Sequence, residues 1–250
     1  MSPSSALNNE WINNPLLISF VAGASSSLLT YAFRKLWNSS IRSTDEQHLP
    51  STKTAPLISS DRHKQEIKKE LITTSKVAIY GGVLWSSREL ISHVLFQPES
   101  SFQASPRMFI PILAGCVSGA SERLLAYLCG DHIPIMLSLR LIGRSTLTYA
   151  LFHLLKDSVT SQVQQQVGVV TGGETETTTR EGTLLLGHFL TAAVVSVGTH
   201  LCCNYSTYRS SSHYLNYSNL LREGIAGGIV YTSYEIFKNS LLHTKTSTSQ

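Results

Sequence analysis

"LLREGIAGGIVYTSYEIFKN", residues 220–239, has the length of a membrane span and an uncharged centre. It also carries Arg222, Glu223, Glu235 and Lys238. A charge at bilayer depth is costly and faces a bundle interior or a water-filled space. Behind this helix there is therefore either a solute pathway or packed protein, and the expectation from sequence is packed protein.

The remainder of the 250-residue chain fits a membrane setting. Only 14% of it is charged, against about a quarter in soluble domains, and its mean hydropathy is slightly positive. Residues 15–33 and 182–205 are uncharged and long enough to cross a bilayer. Four further segments are apolar but hold charge: 77–97 with Arg88 and Glu89, 109–129 with Glu122 and Arg123, 133–155 with Arg140 and Arg144, and 217–240. The fold expected is an all-α membrane protein of six transmembrane helices with both termini on one side. A large buried helical domain is the alternative.

Polar segments divide these spans. Residues 1–14 contain no Lys or Arg, so they read as neither a secretory signal nor a transit peptide. Within the first connection, 61–72 reads as a short amphipathic helix with Ile67, Leu71 and Ile72 on one side. Residues 157–181, with "QQQ" and "TGGETETTT", are expected as loop or partly disordered chain. "CGDHIP" (129–134) is a tight turn closed by proline, and 243–250 is a polar tail. Nine of the 20 basic residues lie in 34–76, which makes that side of the membrane the positive one.

Several chemistries lack their residues. Cys116, Cys129, Cys202 and Cys203 include no CxxC pair and read as small residues of apolar helices. The nine histidines include no HExxH pair, so no metal is expected. There is no GxSxG, no P-loop and no GxGxxG after a strand, so neither an enzyme nor a cofactor is expected. The net charge of +4 is too diffuse for a nucleic-acid footprint.

An internal repeat organises the spans. The odd ones carry small residues in "AGASSS" from Ala22, "AGCVSGAS" from Ala114 and "LGHFLTAA" from Leu186. Gly23, Gly115, Gly119 and Gly187 are the packing candidates, and Gly115 to Gly119 is a GxxxG spacing that lets backbones approach. The even spans carry Arg88, Arg144 and Arg222 in their first halves, followed by Phe96, Phe152 and Tyr231. Repeats are read before motifs, and these give three tandem helix pairs: 15–97, 98–157 and 182–242, with 158–181 as a polar link.

In these features the chain resembles the mitochondrial carrier family. Leu220, Leu221, Arg222, Tyr231, Tyr234, Glu235 and Lys238 match that family's even-helix pattern, and "YGGVLWSSR" (80–88) matches the same run in the second span. The resemblance implies a multi-pass protein of the mitochondrial inner membrane with both termini in the intermembrane space. It also implies that Arg88, Arg144 and Arg222 form a ring for an anionic solute. Local pairing of these arginines, as of Arg222 with Glu223, is the other reading of them.

Departures from the family pattern fall at its gate. Each odd helix of a carrier ends in Pro-x-Asp/Glu-x-x-Lys/Arg. The aligned positions here are Ala32 and Arg34, Leu128 and Gly130 with Asp131 one place late, and His200 and Cys202. Such a set is not expected to form an alternating acid–base ring. The function expected is therefore a non-transporting accessory subunit that contacts membrane lipid and other subunits of an inner-membrane complex. The alternatives are a divergent carrier of an anionic metabolite and an unrelated six-helix channel-type subunit.

Overall fold

The computed structural model describes residues 14–46, 60–95, 109–170, 177–210 and 217–247. The regular structure within them is helical: α1 (Pro15–Glu46), α2 (Ser60–Leu95), α3 (Phe109–Leu128), α4 (Ile135–Val170), α5 (Thr177–Ser210) and α6 (Tyr217–Ser247). Each helix packs on its neighbours in sequence and α1 packs on α6, so the six close into a ring. Helices α1, α3 and α5 are long and apolar enough to cross a membrane, over Pro15–Ile41, Phe109–Leu128 and Glu181–Asn204.

Helix ends follow from local chemistry. The Asn14 side chain accepts a hydrogen bond from Leu16 N at 2.9 Å, an N-cap worth about 0.5–2 kcal/mol. Pro15 follows it at a position where the missing N–H costs nothing. At the end of α3, Gly130 adopts φ 82°. Gly130 N then reaches Tyr127 O and Asp131 N reaches Ala126 O, at 3.0 and 2.9 Å. This left-handed cap stops the helix, and the turn at 129–134 leads directly into α4.

Polarity runs opposite to that of a soluble bundle. The most deeply buried side chains are small and mostly polar: Ser19, Ser26, Ser118, Thr191 and Thr199. Large apolar residues such as Leu36, Leu124, Val194 and Leu221 are exposed. Lipid gives helices no hydrophobic reason to associate, so close backbone packing and hydroxyl bonds hold them instead. Ser26 and Ser118 donate back to Gly23 O and Gly115 O, and Thr30 and Thr199 to Ser26 O and Val195 O, within 3.1 Å.

The closest helix contacts recur along the chain. A Cβ on Gly81 would stand 1.9 Å from Ser27 Oγ, and one on Gly227 1.9 Å from Ser196 Oγ. Gly82 faces Phe20 as Gly228 faces Phe189. Gly23 lies against Trp85 as Gly115 lies against Tyr149. These contacts set a common register in which Trp85, Tyr149 and Tyr231 are equivalent, as are Lys76, Arg140 and Arg222.

Three expectations change. Residues 61–72 are not a separate amphipathic helix but the start of the continuous α2. The stretch 157–181, expected as loop, is helical to Val170 and again from Thr177, because nothing between Arg144 and Gln166 breaks a helix. Arg88, Arg144 and Arg222 do not share one level: in the register fixed by Gly81 and Gly227, Arg222 comes first, Arg144 one turn later and Arg88 two turns further on. Phe96, most of the 1–14 segment and the last residues of the tail lie outside the described residues.

Candidate functional site

Between the helices lies an open cavity of about 420 Å³ lined by residues of all six. Each even helix contributes residues at i, i+3, i+4 and i+7, one face of a helix: Val77, Tyr80, Gly81 and Leu84; Leu141, Arg144, Ser145 and Thr148; Glu223, Ala226, Gly227 and Val230. The three sets occupy equivalent positions in the common register. Small residues at Gly81, Ser145 and Gly227 let the odd helices come close while leaving open space on the axis.

Aromatic rings cross one end of the bore. Trp85 stacks on Tyr234 at 3.8 Å between centroids and meets Tyr231 edge-on at 5.1 Å. Phe152 lies 4.2 Å from Tyr231, so α2, α4 and α6 meet there. The Tyr234 hydroxyl donates to Ser19 Oγ at 3.1 Å. Lys238 Nζ binds both oxygens of Glu89 at 3.0 and 2.9 Å, joining α6 to α2 at the same end.

Arg88 sits beside this aromatic cluster. It is 5% exposed, with its guanidinium 4.8 Å from the Trp85 ring centroid and 4.5 Å from that of Tyr149. It donates to Ser118 Oγ and Ser145 Oγ at 3.2 and 3.1 Å. Among the described residues no carboxylate pairs with it. Ring faces and hydroxyls orient a buried guanidinium but do not neutralise it.

Towards the other end stands Glu223, 5% exposed. Its Oε2 accepts from Arg34 at 2.9 Å and Arg144 at 2.8 Å, and its Oε1 lies 3.4 Å from Arg222. One carboxylate thus ties α6 to α1 and α4. Arg222 also donates to Asn38 at 2.9 Å and does not line the cavity. Arg123 and Glu122 pair with each other at the wall. The lining holds four arginines, Arg34, Arg88, Arg123 and Arg144, and two glutamates, Glu122 and Glu223, an excess of positive charge.

Beyond Glu223, further polar ties join neighbouring helices. Asp131 binds Lys76 at 2.5 Å and the Tyr80 hydroxyl at 2.7 Å, contacts that hold its carboxyl below the ordinary range. Glu70 takes Lys35 at 2.6 Å and Tyr31 at 3.2 Å. Arg140 donates to Cys203 O and, at 3.1 Å, to Asn204.

Of the expected arginine ring, Arg88 and Arg144 line the cavity and Arg222 stands behind Glu223. Of the gate positions, Ala32, Leu128, Gly130 and Cys202 face outward, whereas Arg34 and His200 both approach Glu223. Arg34 and Asp131 are each in an ion pair, with Glu223 and Lys76; among the described residues no gate position pairs with another. The partners of both, Glu223 and Lys76, come from even helices, where the odd-helix motif gives no signal. Gly23, Gly115, Gly119 and Gly187 all lie against a neighbouring helix, Gly187 at Thr160.

No protein-family model matches the chain, and no curated protein or solved structure matches it either.

Proposed function

We propose that this chain is an integral membrane protein built from three repeated helix pairs and that it binds a small anionic solute in its central cavity and moves it across the membrane. The observation that carries the reading is Arg88: a buried guanidinium on the cavity wall with hydroxyl and aromatic contacts but no carboxylate. The carrier resemblance of 220–239 supports a divergent carrier of the mitochondrial inner membrane.

The accessory-subunit reading rests on the lost gate motifs of the odd helices; the carrier reading is supported by three ion pairs near that end of the bundle, Arg34–Glu223, Lys76–Asp131 and Lys35–Glu70, built with partners from the even helices. Ion pairs linking helices across an opening are elements that two states can make and break.

Uptake of labelled small anions into liposomes carrying the purified chain tests the proposal. The wild type should accumulate at least one anion above protein-free vesicles, and Arg144→Gln should lose most of that uptake. Equal uptake by protein-free and loaded vesicles for every anion would overturn it.

A further inference from the structure

We propose that the start of α2, which projects from the bundle on its positive side, is a docking surface for an acidic amphipathic helix of a second protein. The proposal is independent of whether the chain moves a solute.

Repeat one alone carries this projection. In the common register Lys76, Arg140 and Arg222 are equivalent. Helices α4 and α6 start five residues before Arg140 and Arg222, at Ile135 and Tyr217, whereas α2 starts sixteen before Lys76, at Ser60. Its neighbour α1 likewise runs to Glu46, 23 residues past Gly23, where α3 ends at Leu128, 13 past the equivalent Gly115. Glu70 ties the two arms at their base by taking both Lys35 and Tyr31. At 1.5 Å per residue, α2 gains about 16 Å that packing of the three repeats does not require.

One face of the projection has no partner. Lys64, Ile67, Lys68, Leu71, Ile72 and Ser75 follow at i, i+3, i+4, i+7, i+8 and i+11, a single stripe along a helix, and all six are exposed. Ile67, Leu71 and Ile72 are 56%, 66% and 49% exposed. The acids of this segment stand elsewhere: Glu70 is committed to α1, and Glu66 lies on the opposite side of the helix. Lys68, Lys69 and Ile72 also line a cleft of about 500 Å³ against Tyr80 and Asp131. Asp131 is taken by Lys76 and Tyr80, so among the described residues Lys64, Lys68 and Lys69 have no carboxylate partner.

Depth decides between lipid and protein. The Lys76–Asp131 pair, beside the turn that ends α3, marks the edge of the bundle. Ile67 stands nine residues further out, about 13 Å along the helix and beyond a headgroup layer about 5–8 Å deep. Branched apolar side chains at that distance face water unless protein covers them, and the lysines among them select a partner of opposite charge. A helix with leucines on one face and glutamates beside them fits such a stripe. This chain does not supply it: residues 47–59 and 211–216, which join helices on this side, hold no Asp or Glu.

Two synthetic helical peptides of about three heptads test the proposal, both with leucine at a and d, one with glutamate and the other with lysine at e and g. Each is titrated by fluorescence anisotropy against the full chain in nanodiscs of neutral lipid. The glutamate peptide should bind wild type about tenfold or more tighter than the lysine peptide, and Lys64→Glu with Lys68→Glu should reverse that order. Ile67→Ser with Leu71→Ser should remove binding of the glutamate peptide while the melting temperature stays unchanged, since both side chains are exposed. Equal binding of the two peptides by wild type, or binding that neither double variant alters, would overturn the proposal. A bimane on Ile67→Cys, with the four native cysteines replaced by Ala, reports the other occupant. Its emission should be the same in neutral and anionic nanodiscs, and a blue shift in the anionic ones would assign the stripe to a lipid surface instead.

Discussion

Glu223 Oε2 lies 2.9 Å from Arg34 Nη2, a bond between the last helix of the chain and the first. Because the same oxygen also takes Arg144 at 2.8 Å, one carboxylate fixes three helices at one end of the cavity. Glu223→Gln keeps the shape and removes the charge. It should destabilise the bundle by about 1–3 kcal/mol, the loss of charged hydrogen bonds to partly exposed arginines, read as a lowered melting temperature in detergent. Arg34→Ala should cost far less, because its side chain is 45% exposed and exposed pairs contribute about 0–1 kcal/mol.

Close helix contact sets a second expectation. A methyl group at Gly227 meets Ser196 Oγ at 1.9 Å, Ser196 Cβ at 2.5 Å and Ala192 O at 3.0 Å, a clash that a rotamer change at Ser196 does not relieve. Gly227→Ala should cost about 1–3 kcal/mol, the usual range for overpacking. Adding Ser196→Gly should return part of that loss in the same unfolding assay, whereas Gly143→Ala, which meets nothing within 4 Å inside α4, should raise stability slightly.

Acid should loosen the α2–α3 corner. Asp131 lies in the turn after α3, and its hydrogen bonds from Lys76 and Tyr80 hold its carboxyl below its ordinary value. A carboxyl depressed in the folded state stabilises above its unfolded value and loses that contribution as pH falls through the folded one. Thermal stability should therefore decline as pH drops below about 4. Asp131→Asn should be less stable than wild type at neutral pH and show a flatter acid limb. Parallel curves for the two proteins would contradict this assignment.

Membrane embedding can be read at a single sulfur. Cys116 is exposed on the protein surface in the middle of α3, whereas Cys129 is exposed at its end. In intact membranes a charged, impermeant maleimide should label Cys129 from one side and leave Cys116 unmodified, since lipid covers that face. Detergent denaturation should expose Cys116 to the reagent. Rapid labelling of Cys116 in native membranes would contradict embedding.

The parts of this architecture legible in the sequence are those fixed by composition. Helices α1 and α5 announce themselves as uncharged runs, and "AGCVSGAS" marks α3 as a close-packing helix. Register was harder. Aligning Arg88, Arg144 and Arg222 follows an arginine in the first half of each even span and the aromatic residue after it, yet the close contacts pair Gly81 with Ser27 and Gly227 with Ser196. Superposing "YGG" (80–82) on "AGG" (226–228) would have matched Trp85 with Tyr231 and Lys76 with Arg222. The Glu223 cluster was not legible, because its partners stand 189 and 79 residues away and only ring closure brings α1 and α4 to α6. The extension of α4 to Val170 was masked by its polar composition, which resembles a loop until the absence of helix breakers is weighed.

The central claim is a water-filled, positively charged cavity on the axis of the ring, and Leu141 offers direct access to it. Leu141 lines the cavity and makes no polar contact that substitution would disturb. With Cys116, Cys129, Cys202 and Cys203 replaced by Ala, Leu141→Cys places one thiol on the cavity wall. Its rates of modification by sulfonatoethyl and trimethylammonioethyl methanethiosulfonate, reagents of similar size and opposite charge, measure the local potential. The account predicts that the anionic reagent reacts about tenfold or more faster than the cationic one. Equal rates, a faster cationic reagent, or a thiol that neither reagent reaches would contradict a positive solute cavity at the centre of this protein.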